Sequence, residues 1–235
     1  MANIMLVAAS GGAWEDSEDY LFPGLRAVYG EIEQENERHR LSIADLERKL
    51  QEMKAGEQAA FSRLLTARGP ELRQAVIAAL GYLDYPKVVD VDNYWKHVIR
   101  AKEEDAWLLD GAGGSVEELI RGGRLTLVAV RDGEGPAADD DGLLLQRFKG
   151  RRMQEFNNTR MQALLVGNYF AAQEPKHRGV PFSETQVQEA AQDGNGLLTT
   201  YELFKAIKAE KEGRLGKEAI RDQLRSKTGL ITFEC

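Results

Sequence analysis

The chain has 235 residues, 43% of them hydrophobic and 29% charged, with a formal net charge of -7. That length allows one good-sized domain with an appendage, or two small domains. The composition is that of a soluble globular protein without the run of ~18 apolar residues that a membrane-spanning helix needs. The acidic balance argues against a protein that coats nucleic acid by bulk charge, while leaving room for a local basic groove.

Residues 1–24 combine a short β-like run at 4–9, the turn Ser10-Gly11-Gly12 and an acidic stretch from Trp14 to Asp19. A buried first strand and a loosely attached arm both fit them. The start has no basic region and too short an apolar run for a signal peptide, and the lone Cys235 has no internal partner for a disulfide. A cytoplasmic location is the expectation.

From Leu25 the pattern changes. Leu25, Tyr29, Ile32, Asn36, His39, Ile43, Leu46, Leu50 and Met53 recur at alternating steps of four and three. This is the heptad rule, with Leu25, Ile32, His39, Leu46 and Met53 at d and the others at a. Residues 25–56 therefore read as a coiled-coil helix, and a homodimer through Leu25–Met53 is expected. Asn36 at an a position costs stability but favours parallel, in-register pairing. The competing reading is one amphipathic helix packed on its own chain.

Gly56 interrupts, and a second helical pattern runs through Phe61, Leu64 and Leu65 to a break at Gly69-Pro70. Pro70 suits the first turn of the next helix, where its missing N–H costs nothing. Gly81 is placed to close that helix. Residues 88–91, 105–109 and 125–130 read as strands, and 95–99 as an irregular segment or another strand. The run 125–130 is continuous and apolar, as a central strand is. A glycine-rich acidic loop through Asp139-Asp140-Asp141 leads to a helix at about 142–156 and a buried strand at 161–168. Helices follow at about 183–192, 200–211 and 216–227. This order predicts an α/β domain over residues 57–235, with a central mixed sheet flanked by helices.

The same order, with particular residues in it, resembles the PD-(D/E)XK, or restriction-endonuclease-like, nuclease superfamily over about residues 61–233. The pieces that carry the resemblance are Leu64-Leu65 and Gly69-Pro70-Glu71-Leu72, then Glu103-Glu104-Asp105-Ala106-Trp107-Leu108 and Leu127-Val128-Ala129-Val130-Arg131. Leu164-Leu165-Val166-Gly167-Asn168, Pro175-Lys176-His177-Arg178 and 196–204 complete it. The resemblance implies a site in which an Asp on one strand and a Glu two residues before a Lys on the next hold Mg²⁺. That metal activates water and neutralises the phosphate under attack. The spacing of two follows from alternate strand residues facing one side.

Asp105 matches the metal-binding Asp. At the Glu-x-Lys position stand Ala129, Val130 and Arg131. Ala129 has no ligand atom, and Arg131 keeps a charge without being a like-for-like substitute for Lys. Where some relatives carry an acid in the first helix, Arg73 stands, with Glu71 near. The catalytic positions are therefore degenerate. Either nuclease activity has been lost, or an inactive form was made, or the motif strand lies elsewhere. A second register runs through 143–150, with Lys149 as the Lys and Arg147 at the Glu position, and is broken too. In the preferred register Gln146, Arg147, Lys149, Arg151 and Arg152 fall on the following helix. There the resemblance implies contacts to a nucleic-acid backbone, against the general reading of such a run as a solvated face.

Other signals fail. Asp193-Gly194-Asn195-Gly196 begins like a calcium loop, but Leu198 and Phe204 stand where Gly and Glu belong; it reads as a turn before a helix. Gly111-Ala112-Gly113-Gly114 lacks the third glycine of a dinucleotide fingerprint. His39, His97 and His177 have no ligand spacing. The leading expectation is a nuclease-fold protein, weakened or inactive, that binds DNA, RNA or a protein partner in a DNA-processing or antiviral defence setting. The alternatives are an active Mg²⁺-dependent nuclease with a relocated carboxylate at Glu104, Asp110 or Asp132, and a purely structural dimerisation module.

Overall fold

The structure, a computed structural model, describes residues 19–94, 99–111 and 113–234. The expected strand at 4–9, most of the 95–99 segment and Cys235 lie outside the described residues. The chain divides into two compact units between Gly56 and Glu57.

The described part of the first unit is dominated by one uninterrupted helix, α1 (Pro23–Ala55), with Pro23 in its first turn. Its charged faces are laced by i,i+3 and i,i+4 ion pairs such as Arg48–Asp45 and Arg48–Glu52. Such pairs stabilise a helix by about 0.2–0.5 kcal/mol each. None of its side chains is buried, and Leu25, Ile32, Ile43, Leu46 and Leu50 are exposed along one stripe.

The second unit opens with α2 (Glu57–Thr66) and α3 (Gly69–Tyr82), then β1 (Lys87–Asp90), the short α4 (Val91–Tyr94), β2 (Ala106–Leu109), α5 (Val116–Gly122) and β3 (Leu125–Asp132). It continues with α6 (Asp140–Phe156), β4 (Met161–Asn168), α7 (Glu184–Gln192), β5 (Gly196–Thr199), α8 (Thr200–Lys211), α9 (Lys217–Ser226) and β6 (Gly229–Leu230). Pro70 sits in the first turn of α3 as expected, but Gly81 lies within the helix, which runs on to Leu83 as its C-cap. With one exposed glycine in the last turn, the packing of Leu80 and Leu83 outweighs its propensity cost of about 1 kcal/mol. The turn at Asp193–Asn195 leads first into the strand β5, not directly into a helix as the sequence predicts.

The sheet has six strands in the order β1-β2-β3-β4-β5-β6. The first three pair antiparallel, and β3 through β6 pair parallel. Parallel neighbours need a crossover, and α6 supplies it between β3 and β4. Because strand residues alternate between faces, two cores result. One face buries Ala106, Leu108, Val128, Val130, Leu164 and Val166 against Leu72, Val76 and Leu80 of α3, with Leu203 and Ile207 of α8. The other buries Trp107, Leu127, Ala129, Ala163 and Leu165 against Ile120 of α5 and Leu145, Phe148 and Phe156 of α6. Both faces of β3 and β4 are covered, which is why these strands read as continuous apolar runs. The mixed sheet flanked by helices, preceded by a long helix, is the fold class the sequence predicts.

Candidate functional site

Residues 127–131, where the preferred register places the motif, lie within β3. The rival segment 143–150 lies within α6 and is no strand. On β2 and β3, Ala106 faces Val128, and the pairing continues one residue further, with the Asp105 N–H donating to the Val128 carbonyl at 2.8 Å. Carried one residue further, the antiparallel register places Asp105 beside Ala129. Arg131, two residues on, shares the Ala129 face.

The chemistry at this point is an internal Asp–Arg contact. Asp105 Oδ2 accepts the Val130 N–H at 2.8 Å and lies 3.5 Å from Arg131 Nη1, which also donates to the Val130 carbonyl at 2.8 Å. Ala129 is buried in the core. Mg²⁺ takes oxygen ligands in near-ideal octahedral geometry, with one or two carboxylates as anchors. Here the single carboxylate is engaged by a backbone N–H and a guanidinium, its neighbour is a methyl group, and a fixed positive charge stands where a cation would sit. Among the described residues no group of three or more His, Cys, Asp or Glu side chains could hold a metal ion. The donor set does not fit Mg²⁺.

The relocated carboxylates do not repair it. Glu104 is fully buried and accepts from Arg152 Nε at 2.7 Å, Arg152 Nη2 at 3.0 Å and Trp107 Nε1 at 2.7 Å. Asp110 follows the far end of β2, about 17 Å along the strand from Asp105 at ~3.3 Å per residue, and pairs with Arg225 at 2.7 Å. Asp132 is one step out of phase with Ala129 and Arg131, and its Oδ1 accepts the Gly69 N–H at 3.2 Å. Arg73, at the position of the first-helix acid, holds Asp90 at 2.5 Å and Asp92 at 2.7 Å.

The five α6 residues expected at a nucleic-acid backbone divide. Arg152 is withdrawn from any surface: it is fully buried, bound to Glu104 and Glu155, and donates to the Ala101 carbonyl. It lies on the apolar stripe Leu145–Phe148–Arg152–Phe156, so its position in the helix, not its charge, decides its fate. Lys149 Nζ donates to the Asp193 carbonyl at 2.6 Å and Asn195 Oδ1 at 3.0 Å. Burial holds its ammonium below the ordinary lysine pKa, with Asp193 opposing. Gln146 Nε2 donates to Asp193 Oδ2 at 2.5 Å. These three tie α6 to the sheet and to the α7–β5 turn. Arg147 and Arg151 remain on the surface, 3.4 and 3.1 Å from Glu103. Glu103, Glu104 and Asp105 are thus three consecutive acids, each taken by different arginines.

A polar cluster that the sequence left without a role closes the carboxyl edge of β4. Buried Asn168 donates to the Ala67 carbonyl at 2.9 Å and accepts from Arg178 Nη1 at 2.6 Å and Thr200 Oγ1 at 3.2 Å. Arg178 also donates to the Leu65 carbonyl at 2.8 Å. The signal was an asparagine ending an all-buried strand, since a buried amide must find partners. Beside it a cavity of about 240 Å³ is lined by Arg178, Tyr169, Phe170, Tyr201 and Glu202 among others.

No protein-family model matches the chain, and no curated protein matches it. Among solved structures, the restriction endonuclease FokI bound to DNA aligns with 74% of this chain at 16% identity and a TM-score of 0.36. A second structure of FokI aligns with 73% of the chain at 14% identity and a TM-score of 0.37. The chain spans about a third of the length of either. No described helix is long and apolar enough to cross a membrane.

Proposed function

We propose that residues 57–235 form a restriction-endonuclease-like domain that binds nucleic acid without cutting it, in a protein that pairs with a second copy through α1. The observation that carries this reading is the row of acids at 103–105, each held by arginine, including Asp105, where the resemblance calls for a metal-binding carboxylate. A site that neutralises its own Asp with Arg131 has no means of activating water. It keeps cations: Arg131, Arg147 and Arg151 retain 33%, 60% and 41% of their side-chain exposure. A phosphate competes with Asp105 and Glu103 for them, and each contact made releases counterions. Binding is therefore weak and falls steeply with salt. The DNA-processing or defence setting follows from the sequence resemblance.

The test is fluorescence anisotropy with labelled single- and double-stranded DNA and RNA at about 50 and 200 mM salt. The native protein is compared with an Arg147→Ala, Arg151→Ala variant. We expect affinity to drop roughly tenfold or more between the two salt concentrations for a few phosphate contacts, with a shallower slope in the variant. Equal slopes would mean that Arg147 and Arg151 touch no phosphate, and no binding at low salt would put a protein partner in place of nucleic acid. Plasmid cleavage in Mg²⁺ or Mn²⁺ that Asp105→Ala abolishes would sink the non-cutting reading.

A further inference from the structure

The stripe on α1 has a directional charge pattern, and it assigns the orientation of the pairing. With Leu25, Ile32, His39, Leu46 and Met53 at d, the flanking e positions are Arg26, Glu33, Arg40 and Glu47, and the g positions are Val28, Glu35, Ser42 and Lys49. We infer that α1 pairs with a second copy of itself antiparallel, in the register that sets Leu25 against Leu50 and Asn36 against His39. This rests on the dimer proposed above and specifies its geometry.

Every layer in this register joins like with like. Phe22 meets Met53, Leu25 meets Leu50, Tyr29 meets Leu46, Ile32 meets Ile43, and the two polar residues Asn36 and His39 meet each other near the two-fold axis. These layers cover most of the exposed apolar residues of α1, including Met53 at 73% exposure, together with its N-cap Phe22 at 83%; Val28 and Leu41 lie outside them. In an antiparallel pair e faces e and g faces g. Arg26 then lies against Glu47, and Glu33 against Arg40, all opposite in sign, while Val28–Lys49 and Glu35–Ser42 carry no like charges. A parallel pair sets each g against the e of the next heptad on the partner. Only Glu35–Arg40 attracts there, and Lys49 meets Lys54. Asn36 taken alone favours the parallel arrangement, but a polar residue in the facing layer satisfies it equally. Other antiparallel registers, shifted by a heptad, place Asn36 against an apolar side chain. The chosen register puts the C-termini of α1 at opposite ends of a pair about 50 Å long, at 1.5 Å rise per residue.

Disulfide trapping in the full chain tests orientation and dimerisation separately. Leu25→Cys and Leu50→Cys are made singly in a Cys235→Ala background, so that each chain carries one thiol. In the antiparallel pair the two copies of residue 25 lie about 37 Å apart, far beyond disulfide reach of ~4.4–6.8 Å between Cα atoms. We expect neither variant to cross-link alone, and the two mixed under reducing conditions and then oxidised to give a covalent heterodimer. Cross-linking of either variant with itself overturns the antiparallel assignment in favour of the parallel one. Absence of any cross-link also overturns it, and sedimentation then separates the cases. A dimer removes only this register, and a monomer removes the dimer itself. Circular dichroism of each variant establishes that the helix has formed.

Discussion

Arg152 and Glu104 show how a single position redirects a charge. Both are fully buried, and Glu104 also accepts from the Trp107 indole, so each charge depends on the other for its solvation. Breaking a buried pair by removing one partner typically costs about 3–5 kcal/mol, because the remaining charge stays uncompensated. Arg152→Met should therefore destabilise the protein by that amount in urea unfolding followed by tryptophan fluorescence. Arg152→Met with Glu104→Gln should recover a substantial part, since an amide can still accept from Trp107 without a stranded charge. A double variant no more stable than the single one would mean that the arginine acts by packing alone. The sequence shows Arg147, Lys149, Arg151 and Arg152 as one basic run, and residue type cannot separate them. Helical phase can, because Arg152 falls on the Leu145–Phe148–Phe156 stripe and Arg147 does not.

At the scale of elements, the long β3 and β4 were legible, as were the four-residue β1 and β2, whereas β5 and the two-residue β6 were not. The run 125–130 and the strand at 161–168 lose their alternation because helices cover both faces of β3 and β4, so uninterrupted apolar sequence was the right signal. The four-residue β5 carries too little sequence to stand apart from the Asp193–Asn195 turn before it. The helix α5 escaped the reading although its capping box, Ser115 with Glu118, was visible in the sequence. The expectation that Asp105 and Ala129 meet came from the family resemblance, since two strands read from sequence do not by themselves reveal that they pair or in which register. The engagement of Glu103 by α6 was not legible, since it depends on the roll of that helix over the sheet.

The β2–β3 pair also makes the degenerate site testable. Ala129→Glu with Arg131→Lys puts a second carboxylate beside Asp105 and removes the fixed guanidinium. Without metal this buries a charge with no partner, and stability should fall by about 3 kcal/mol or more. Mn²⁺ at about ten times its Kd should then return about 1.4 kcal/mol, since a ligand that binds only the folded state stabilises by RT ln(1 + [L]/Kd). The native protein should show no such rise in melting temperature. A native protein stabilised as much as the variant would mean that the metal sits elsewhere. A variant indifferent to metal would mean that Asp105 and residue 129 do not converge on one ion.

For the whole molecule, the buried residues of both cores run from Leu64 to Phe233, and none comes from α1. The second unit thus contains its own hydrophobic interior on both faces of one sheet, which is the physical condition for folding alone. A chain of residues 57–235 should unfold cooperatively in urea with a midpoint close to that of the full protein. It should sediment as a monomer at concentrations where the full protein is a dimer. Nucleic-acid binding gives the sharper readout. Two copies joined through α1 convert the second binding event on a long strand into an intramolecular one, which raises avidity by up to about 10²–10⁴-fold when the linkage can span both sites. On an oligonucleotide long enough for two domains the full protein should bind more tightly than residues 57–235. On one long enough for a single domain the two should bind alike. A length-independent difference would mean that α1 itself contacts nucleic acid, and equal binding on both lengths would mean that the pair cannot engage one strand with both domains.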